Sequence, residues 1–93
     1  MTASWTPIAV RGALDILADA DFGGDLPAGI AFARDVLALV ERLQDDRSTG
    51  RPGARTGTRE IVVQHRHLLT FMAKGADTII LQIWPIEGHR AIE

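Results

Sequence analysis

Four arginines recur at every fourth position and are the most conspicuous chemically active side chains of the chain. Arg47, Arg51, Arg55 and Arg59 would share one face of a helix, but glycine and proline interrupt residues 50–57, so we predict a loop. Guanidinium groups on a loop suit contact with an anionic target such as DNA, and they also keep a loop soluble. Both interpretations stay open for Arg51 and Arg55.

Three histidines follow the arginine segment and raise the question of a metal site. His65 and His67 form a His-x-His pair, which on a strand would place two imidazoles on one side, and His89 would be the third ligand. Supporting carboxylates are not evident, and a histidine at a strand end is usually solvated. We therefore predict no metal site. No nucleotide-binding loop or catalytic triad order stands out, so no cofactor is expected.

Glu60 and Trp84 each carry two interpretations. Glu60 has the chemistry of a general base, but beside Arg59 on an exposed strand it is expected to be half of a surface ion pair worth under about 1 kcal/mol. Trp84 is expected to pack in the core or an interface, and an exposed tryptophan at this position would mark a partner site.

Composition places these residues in an ordinary globular protein. The 93 residues, 46% of them apolar and 24% charged, suit one domain spanning residues 1–93. The absence of cysteine excludes disulfides and thiolate metal sites and favours the cytoplasm. The N-terminal residues lack a signal-peptide pattern, and no apolar run approaches the roughly 18 residues that span a bilayer, so no membrane partner is expected.

The charge is unevenly distributed along the chain. Residues 1–46 hold three Lys/Arg against eight Asp/Glu, a net charge of −5, whereas residues 47–93 hold seven against four, a net charge of +3. This asymmetry either directs an anionic partner to the second half or has no function.

Two helices and a set of strands must position these side chains. Thr6 before Pro7 predicts a helix start. The threonine hydroxyl can accept a hydrogen bond from a free backbone amide of the first turn, and proline fits that turn because its missing N–H would have no partner in the helix. After the break at residues 22–25, a second helix over Pro27–Gln44 presents a broad apolar face. That face is expected to meet the first helix and a sheet. Its residues include Phe32, Val36, Leu39, Val40 and Leu43.

Alternating apolar residues predict strands in the second half of the chain. Ile61 and Val63 face inward on one strand, Leu69, Phe71 and Ala73 on the next, and Ile79, Leu81 and Ile83 on the third. Residues 74–77 connect the last two as a hairpin, Pro85 ends the third, and residues 2–5 are predicted as a short edge strand. The fold class is therefore α+β: an N-terminal helical hairpin packed on a small antiparallel β-sheet in the order β-α-α-β-β-β.

The order of several segments resembles the ParE/RelE superfamily of toxins. A glycine-rich arginine loop runs directly into an apolar strand, and the resemblance extends over nearly the whole chain, from a Trp-Thr start through the second helix. The segments that carry it in the second half are Gly50-Arg51-Pro52-Gly53 and Thr58-Arg59-Glu60-Ile61-Val62-Val63. The predicted element order is the one that this superfamily has.

The resemblance implies the toxin of a type II toxin–antitoxin pair. A cognate antitoxin would hold it inactive through a partly disordered segment, and operator DNA would be contacted only through that antitoxin. Phe32, Val36 and Leu39 on the second helix are the candidates for contact with the antitoxin, although the chain's own sheet is the alternative partner of this face. Contact with the target would fall to Arg51, Arg55, Arg59 and Trp84.

The two branches of the superfamily differ in their target. The ParE branch is associated with poisoning DNA gyrase and needs no covalent chemistry, whereas the RelE branch cuts messenger RNA on the ribosome. In a nuclease, Arg59 and Arg90 would clamp phosphate and His89 would act as general acid, since Gly88-His89-Arg90 resembles an element near the end of RelE-branch chains. The chain has no tyrosine, one lysine and a pI near 5.9, which favours the ParE branch.

The sequence also departs from the ParE pattern. Trp84-Pro85 stands where the last strand usually leads into a histidine, and Phe71-Met72 replaces a common Tyr-Arg pair. These departures bear on activity more than on fold. A third expectation is therefore a toxin that has lost potency and remains as a non-toxic antitoxin-binding module.

Overall fold

The computed structural model describes residues 3–18, 24, 26–46 and 48–86 of the chain. Within these described residues, two helices and five strands follow one another. They are β1 (Ala3–Trp5), α1 (Pro7–Ala18), α2 (Leu26–Asp45), β2 (Arg51–Pro52), β3 (Thr58–Val63), β4 (His67–Lys74) and β5 (Asp77–Pro85).

Thr6 begins helix α1 and fastens it to the sheet. Its hydroxyl oxygen accepts a hydrogen bond from the backbone amide of Ala9 at 3.0 Å, which confirms the predicted cap, and the same hydroxyl donates to the carbonyl of Leu81 at 2.7 Å. The backbone amide of Thr6 donates to the carbonyl of Ile80 at 3.1 Å. The cap and the junction between helix and strand β5 therefore depend on one residue.

The five strands form one sheet in the order β1-β5-β4-β3-β2. Strands β3, β4 and β5 make the predicted antiparallel meander. The sheet is mixed rather than wholly antiparallel, because β1 lies parallel to the outer side of β5. Part of the predicted arginine loop also forms a strand: Arg51 pairs with Glu60 and Pro52 with Arg59. Pro52 is tolerated because β2 is an edge strand, where a missing donor costs no ladder hydrogen bond.

A bulge in strand β5 changes the predicted inward face. Thr70 pairs with Gln82 and Phe71 with Ile80, so Leu81 is an extra residue on β5. As a result Ile80 and Ile83 are buried in the core, whereas the predicted alternation of Ile79, Leu81 and Ile83 is wrong for the first two. A strict period of two cannot anticipate an inserted residue.

Both helices bury their apolar sides against the same face of the sheet. The predicted inward residues Val63, Leu69 and Phe71 are buried, whereas Ala73 is exposed. The α+β architecture of two helices on a sheet is confirmed. The core consists of Ala9, Ile16, Phe32, Val36, Leu39, Val40, Leu43, Val63, Leu69, Phe71, Ile80 and Ile83.

Candidate functional site

Arg59 joins the start of β3 to the segment that follows helix α2. Its guanidinium donates to the carbonyls of Ser48 at 2.8 Å, Thr49 at 3.2 Å and Gly50 at 2.7 Å. Three backbone acceptors occupy most of the planar fork that a phosphate would need. Arg59 therefore has an architectural role in this structure, and its predicted contact with a target or phosphate stays a prediction without support from this geometry.

Asp46 forms a second link in the same segment. Its carboxylate accepts hydrogen bonds from the Ser48 hydroxyl at 2.5 Å and from the Ser48 amide at 3.1 Å. The Ser48 hydroxyl, the Ser48 amide and, more weakly, the charge of Arg59 hold the pKa of Asp46 below 3.8, although desolvation opposes them. Arg59 and Asp46 thus fix the connection between α2 and β2.

Glu60 pairs with Arg51 rather than with the adjacent Arg59. The Arg51 Nε atom lies 2.8 Å from Glu60 Oε1, across the short ladder of β2 and β3. The Glu60 side chain is 15% exposed and that of Arg51 64% exposed. The ion pair expected for Glu60 exists, but its predicted partner was wrong, because adjacent residues of a strand point to opposite faces. Arg51 is consequently committed in part to Glu60.

Among the described arginines of this segment, Arg55 stays available to a partner. It is exposed and forms no ion pair within the described residues. Its backbone is nevertheless fixed, since its carbonyl accepts hydrogen bonds from the Thr58 amide at 3.1 Å and from the Thr58 hydroxyl at 2.6 Å. Arg55 therefore combines a guanidinium that has no acidic partner among the described residues with a backbone held by hydrogen bonds to Thr58.

A cleft of about 440 Å³ lies between the strands and the first turn of helix α1, with Ile8 in its wall. The alternation of the strands directs Thr58, Glu60, Thr70 and Gln82 to this cleft. Arg55 and Trp84, predicted separately as target contacts, line the same cleft. The structure therefore brings two of the four predicted target-binding residues together and turns Arg59 away to the segment of residues 48–50.

A second cleft of about 290 Å³ adjoins the first along helix α1. The two share Ile8, Gln82 and Trp84, and the second extends to Arg11 and Asp15. Ile8 is 68% exposed although it is a large apolar residue. No sequence pattern singles out Ile8, because an apolar residue in the first turn of a helix looks the same whether it is buried or exposed.

The histidine pair does not have the predicted geometry. His65 lies exposed in the turn between β3 and β4, whereas His67 is buried and its ring centroid lies 5.0 Å from that of Phe32. The two imidazoles are therefore in different environments. No group of three or more metal-binding side chains occurs in residues 3–18, 24, 26–46 and 48–86. His89 and Arg90 lie outside the described residues.

Phe32, Val36 and Leu39 are buried by this chain's own sheet, at 2%, 4% and 8% exposure. A partner protein would reach them only by displacing the core. Of the two partners considered for this face, the structure therefore shows the chain's own sheet. Helix α2 instead exposes Ile30 and Leu37, and helix α1 exposes Val10 and Leu14. Ile30 and Leu37 were not singled out from the sequence. Val10 and Leu14 fall at the helical spacing that predicts an apolar, inward face on α1, and their exposure shows that this prediction is wrong for both.

Comparison with known proteins places the fold. No family model and no curated protein matches the chain, whereas eight chains of solved structures do. One belongs to the structure titled "Chromosomal ParDE TA system from P. aeruginosa". It is 24% identical to this chain, superposes with a TM-score of 0.71, and the match covers 92% of this chain and 96% of that chain. This chain has a ParE-like fold.

The ParE-like fold confirms, at the level of architecture, the resemblance noted in the sequence. The shared architecture consists of a helix pair on a sheet, and the meander of that sheet carries Glu60 and Trp84. Neither described helix is long and apolar enough to cross a membrane.

Proposed function

We propose that this chain is the toxin of a type II toxin–antitoxin pair, acts in the cytoplasm, inhibits DNA gyrase by binding it and is neutralised by a cognate antitoxin. The observation that supports this proposal is the fold match to a protein of a ParDE toxin–antitoxin system over nearly the full length of both chains. Operator DNA would be contacted only through the antitoxin.

The chemistry of the described residues favours a binding mechanism over RNA cleavage. A nuclease needs cations that can stabilise charge on the scissile phosphate. Arg59 already donates to three backbone carbonyls, Arg51 is paired with Glu60, and the sequence has one lysine and no tyrosine. The gyrase interaction would instead use the cleft that contains Arg55 and Trp84.

The exposed apolar residues of the helices are better candidates for the antitoxin than the buried face of α2. Ile30 and Leu37 lie two helical turns apart and therefore on one side of α2, and Val10 and Leu14 lie one turn apart on α1. An amphipathic segment that folds on binding would cover such residues with its own apolar side.

Induced expression in a bacterium without the antitoxin tests the proposal, with nucleoid staining and bulk protein synthesis followed in parallel. Filaments with damaged nucleoids and continued translation, together with loss of supercoiling by purified gyrase, are expected. A Leu69→Asp variant, which places a charge in the core, controls for the burden of expression.

Other outcomes would replace the proposal. Unchanged supercoiling at excess protein would exclude gyrase as the target. A rapid halt in translation would favour the RelE-like nuclease, and unimpaired growth would favour a non-toxic antitoxin-binding module.

A further inference from the structure

The two clefts that meet at Trp84 form one elongated groove. Ile8, Gln82 and Trp84 line both clefts, Arg55 lines the first and Arg11 the second. We name this surface the Trp84 groove. Together the clefts exceed the lower end of the volumes typical of ligand sites, and their shared wall is apolar at Ile8 and Trp84. A long, partly apolar groove suits an extended chain better than a compact small molecule.

The charge of the Trp84 groove differs between its two ends. In the first cleft, the carboxylate of Glu60 is already paired with Arg51, which leaves Arg55 as the cation without an acidic partner among the described residues. In the second cleft, Arg11 lies one helical turn from Asp15, so opposite charges offset one another. The groove is therefore cationic at one end, apolar in the middle and neutral at the other end.

Apolar exposure in the middle of the groove also points to a protein partner. Ile8 is 68% exposed and stands beside Trp84, a residue type that is enriched where protein interfaces are strongest. A nucleic acid would instead need several cations along its backbone. Among the described residues, the first cleft offers one arginine without an acidic partner, beside a carboxylate, and the chain has a net charge of −2.

We infer that the Trp84 groove binds an extended segment of the target protein, with an apolar side chain against Trp84 and Ile8 and an acidic side chain against Arg55. This inference rests on the proposed function for the existence of a protein target and adds the chemistry of the recognised segment. Because Thr58 holds the backbone at Arg55, only the side chain has to become ordered when its guanidinium meets a carboxylate.

A fluorescence titration of Trp84 tests the inference directly. The chain has two tryptophans, so Trp5→Phe leaves Trp84 as the sole indole reporter. The probes are acetyl-Glu-Leu-Ser-Leu-Glu-amide, its counterpart with lysine in place of glutamate, and a short single-stranded RNA. We expect a saturable change in Trp84 emission with the acidic peptide and a markedly weaker response to the other two.

Two matched variants separate the groove from net charge. Arg55→Gln is expected to weaken binding of the acidic peptide about tenfold, the loss of roughly one charge-assisted hydrogen bond. Arg34→Gln makes the same charge change on helix α2, none of whose described residues lines either cleft, and is expected to leave the affinity unchanged. Should Trp5→Phe not fold, the indole N–H resonance of Trp84 in the unaltered chain gives the same readout.

The inference is overturned if no saturable change occurs with the acidic peptide, if both arginine variants weaken binding equally, or if the basic peptide or RNA binds more tightly. Its failure is distinguishable from that of the proposed function. If Arg55→Gln leaves gyrase inhibition intact, the inference about the groove is wrong and the proposed function stands. If the acidic peptide binds but gyrase is not inhibited, the inference stands and gyrase inhibition is wrong.

Discussion

Gly12 of helix α1 packs directly against the carbonyl oxygen of Ile83 in strand β5, and a Cβ atom at Gly12 would overlap that oxygen. The obstacle is backbone, which cannot rotate away as a side chain can. Gly12→Ala is therefore expected to lower the free energy of unfolding by about 1–2 kcal/mol, because overpacking outweighs the gain of up to about 1 kcal/mol in helix propensity. Thermal denaturation would show this as a decrease in Tm of several degrees.

Gly29 of helix α2 provides the matched control for that substitution. A Cβ atom there would lie 3.8 Å from a Leu17 methyl carbon, which is ordinary van der Waals contact. Gly29→Ala should raise the free energy of unfolding by about 0.5–1 kcal/mol. If the two variants were stabilised alike, the close approach of α1 to β5 would be contradicted.

Arg59→Ala is expected to destabilise the fold by about 1–3 kcal/mol, since three backbone carbonyls lose their donor. The stability of Arg59→Lys should lie between those of the unaltered protein and Arg59→Ala, because one ammonium group cannot reproduce the planar fork of donors. Urea denaturation measures both variants. Arg55→Ala, at an exposed position of the same segment, should change stability by less than about 0.5 kcal/mol. A fully stable Arg59→Ala protein that had lost activity would instead assign Arg59 to the target.

Asp46 is expected to titrate below the ordinary aspartate pKa of 3.8, chiefly because it accepts hydrogen bonds from Ser48. Since its folded pKa is depressed, Asp46 contributes stability above the unfolded pKa, and that contribution is lost as the pH falls through the folded pKa. Carboxyl-carbon NMR titration should show the Asp46 pKa moving up toward 3.8 in Ser48→Ala. An unchanged Asp46 pKa in that variant would refute the assigned cause.

Gln64 and His65 occupy left-handed backbone conformations, with φ of 54° and 60°, in the three-residue connection between β3 and β4. The Arg66 amide closes the turn on the Val63 carbonyl at 3.1 Å. Glycine favours such positions, so His65→Gly should raise the free energy of unfolding by about 0.5–1 kcal/mol. Arg66→Gly, at a position without a positive φ, should lower stability. Equal effects in calorimetry would exclude the conformational explanation.

Val36→Asp and Leu37→Asp should have opposite phenotypes although they are neighbours on helix α2. Val36 is 4% exposed and Leu37 63% exposed. The first variant is expected to unfold, because it buries a charge, and the second to fold normally and bind its antitoxin more weakly. Circular dichroism with a co-purification assay distinguishes them. Full antitoxin binding by the folded Leu37→Asp protein would remove Leu37 from that interface.

Local signals in the sequence predicted most of the architecture. The Thr6 cap starts α1, and the periodicity that predicted a helix over Pro27–Gln44 corresponds to Leu26–Asp45. The meander followed from alternating apolar residues. The bulge at Leu81 and the pairing of β2 did not, because both depend on register against a distant strand and not on the residue's own neighbours.

The candidate site was less accessible to prediction for a related reason. Arg55 and Trp84 were proposed as separate target contacts, but only the folded sheet shows that they line one cleft. The role of Arg59 was missed because its acceptors are backbone carbonyls, which leave no trace in the residue types of Ser48, Thr49 and Gly50. The sequence shows which side chains are charged, whereas only the tertiary structure shows which of them are already hydrogen-bonded or paired within the protein.

The parallel pairing of Ala3–Trp5 with strand β5 also has a consequence for biosynthesis. The ribosome releases β1 before any other described element and β5 after all of them, so the first strand must wait for the last before its hydrogen-bond ladder can close. Helix α1 is fastened through Thr6 to the same late strand. A nascent chain therefore cannot complete the sheet, or assemble the groove around Trp84, until nearly all of its described residues have been translated.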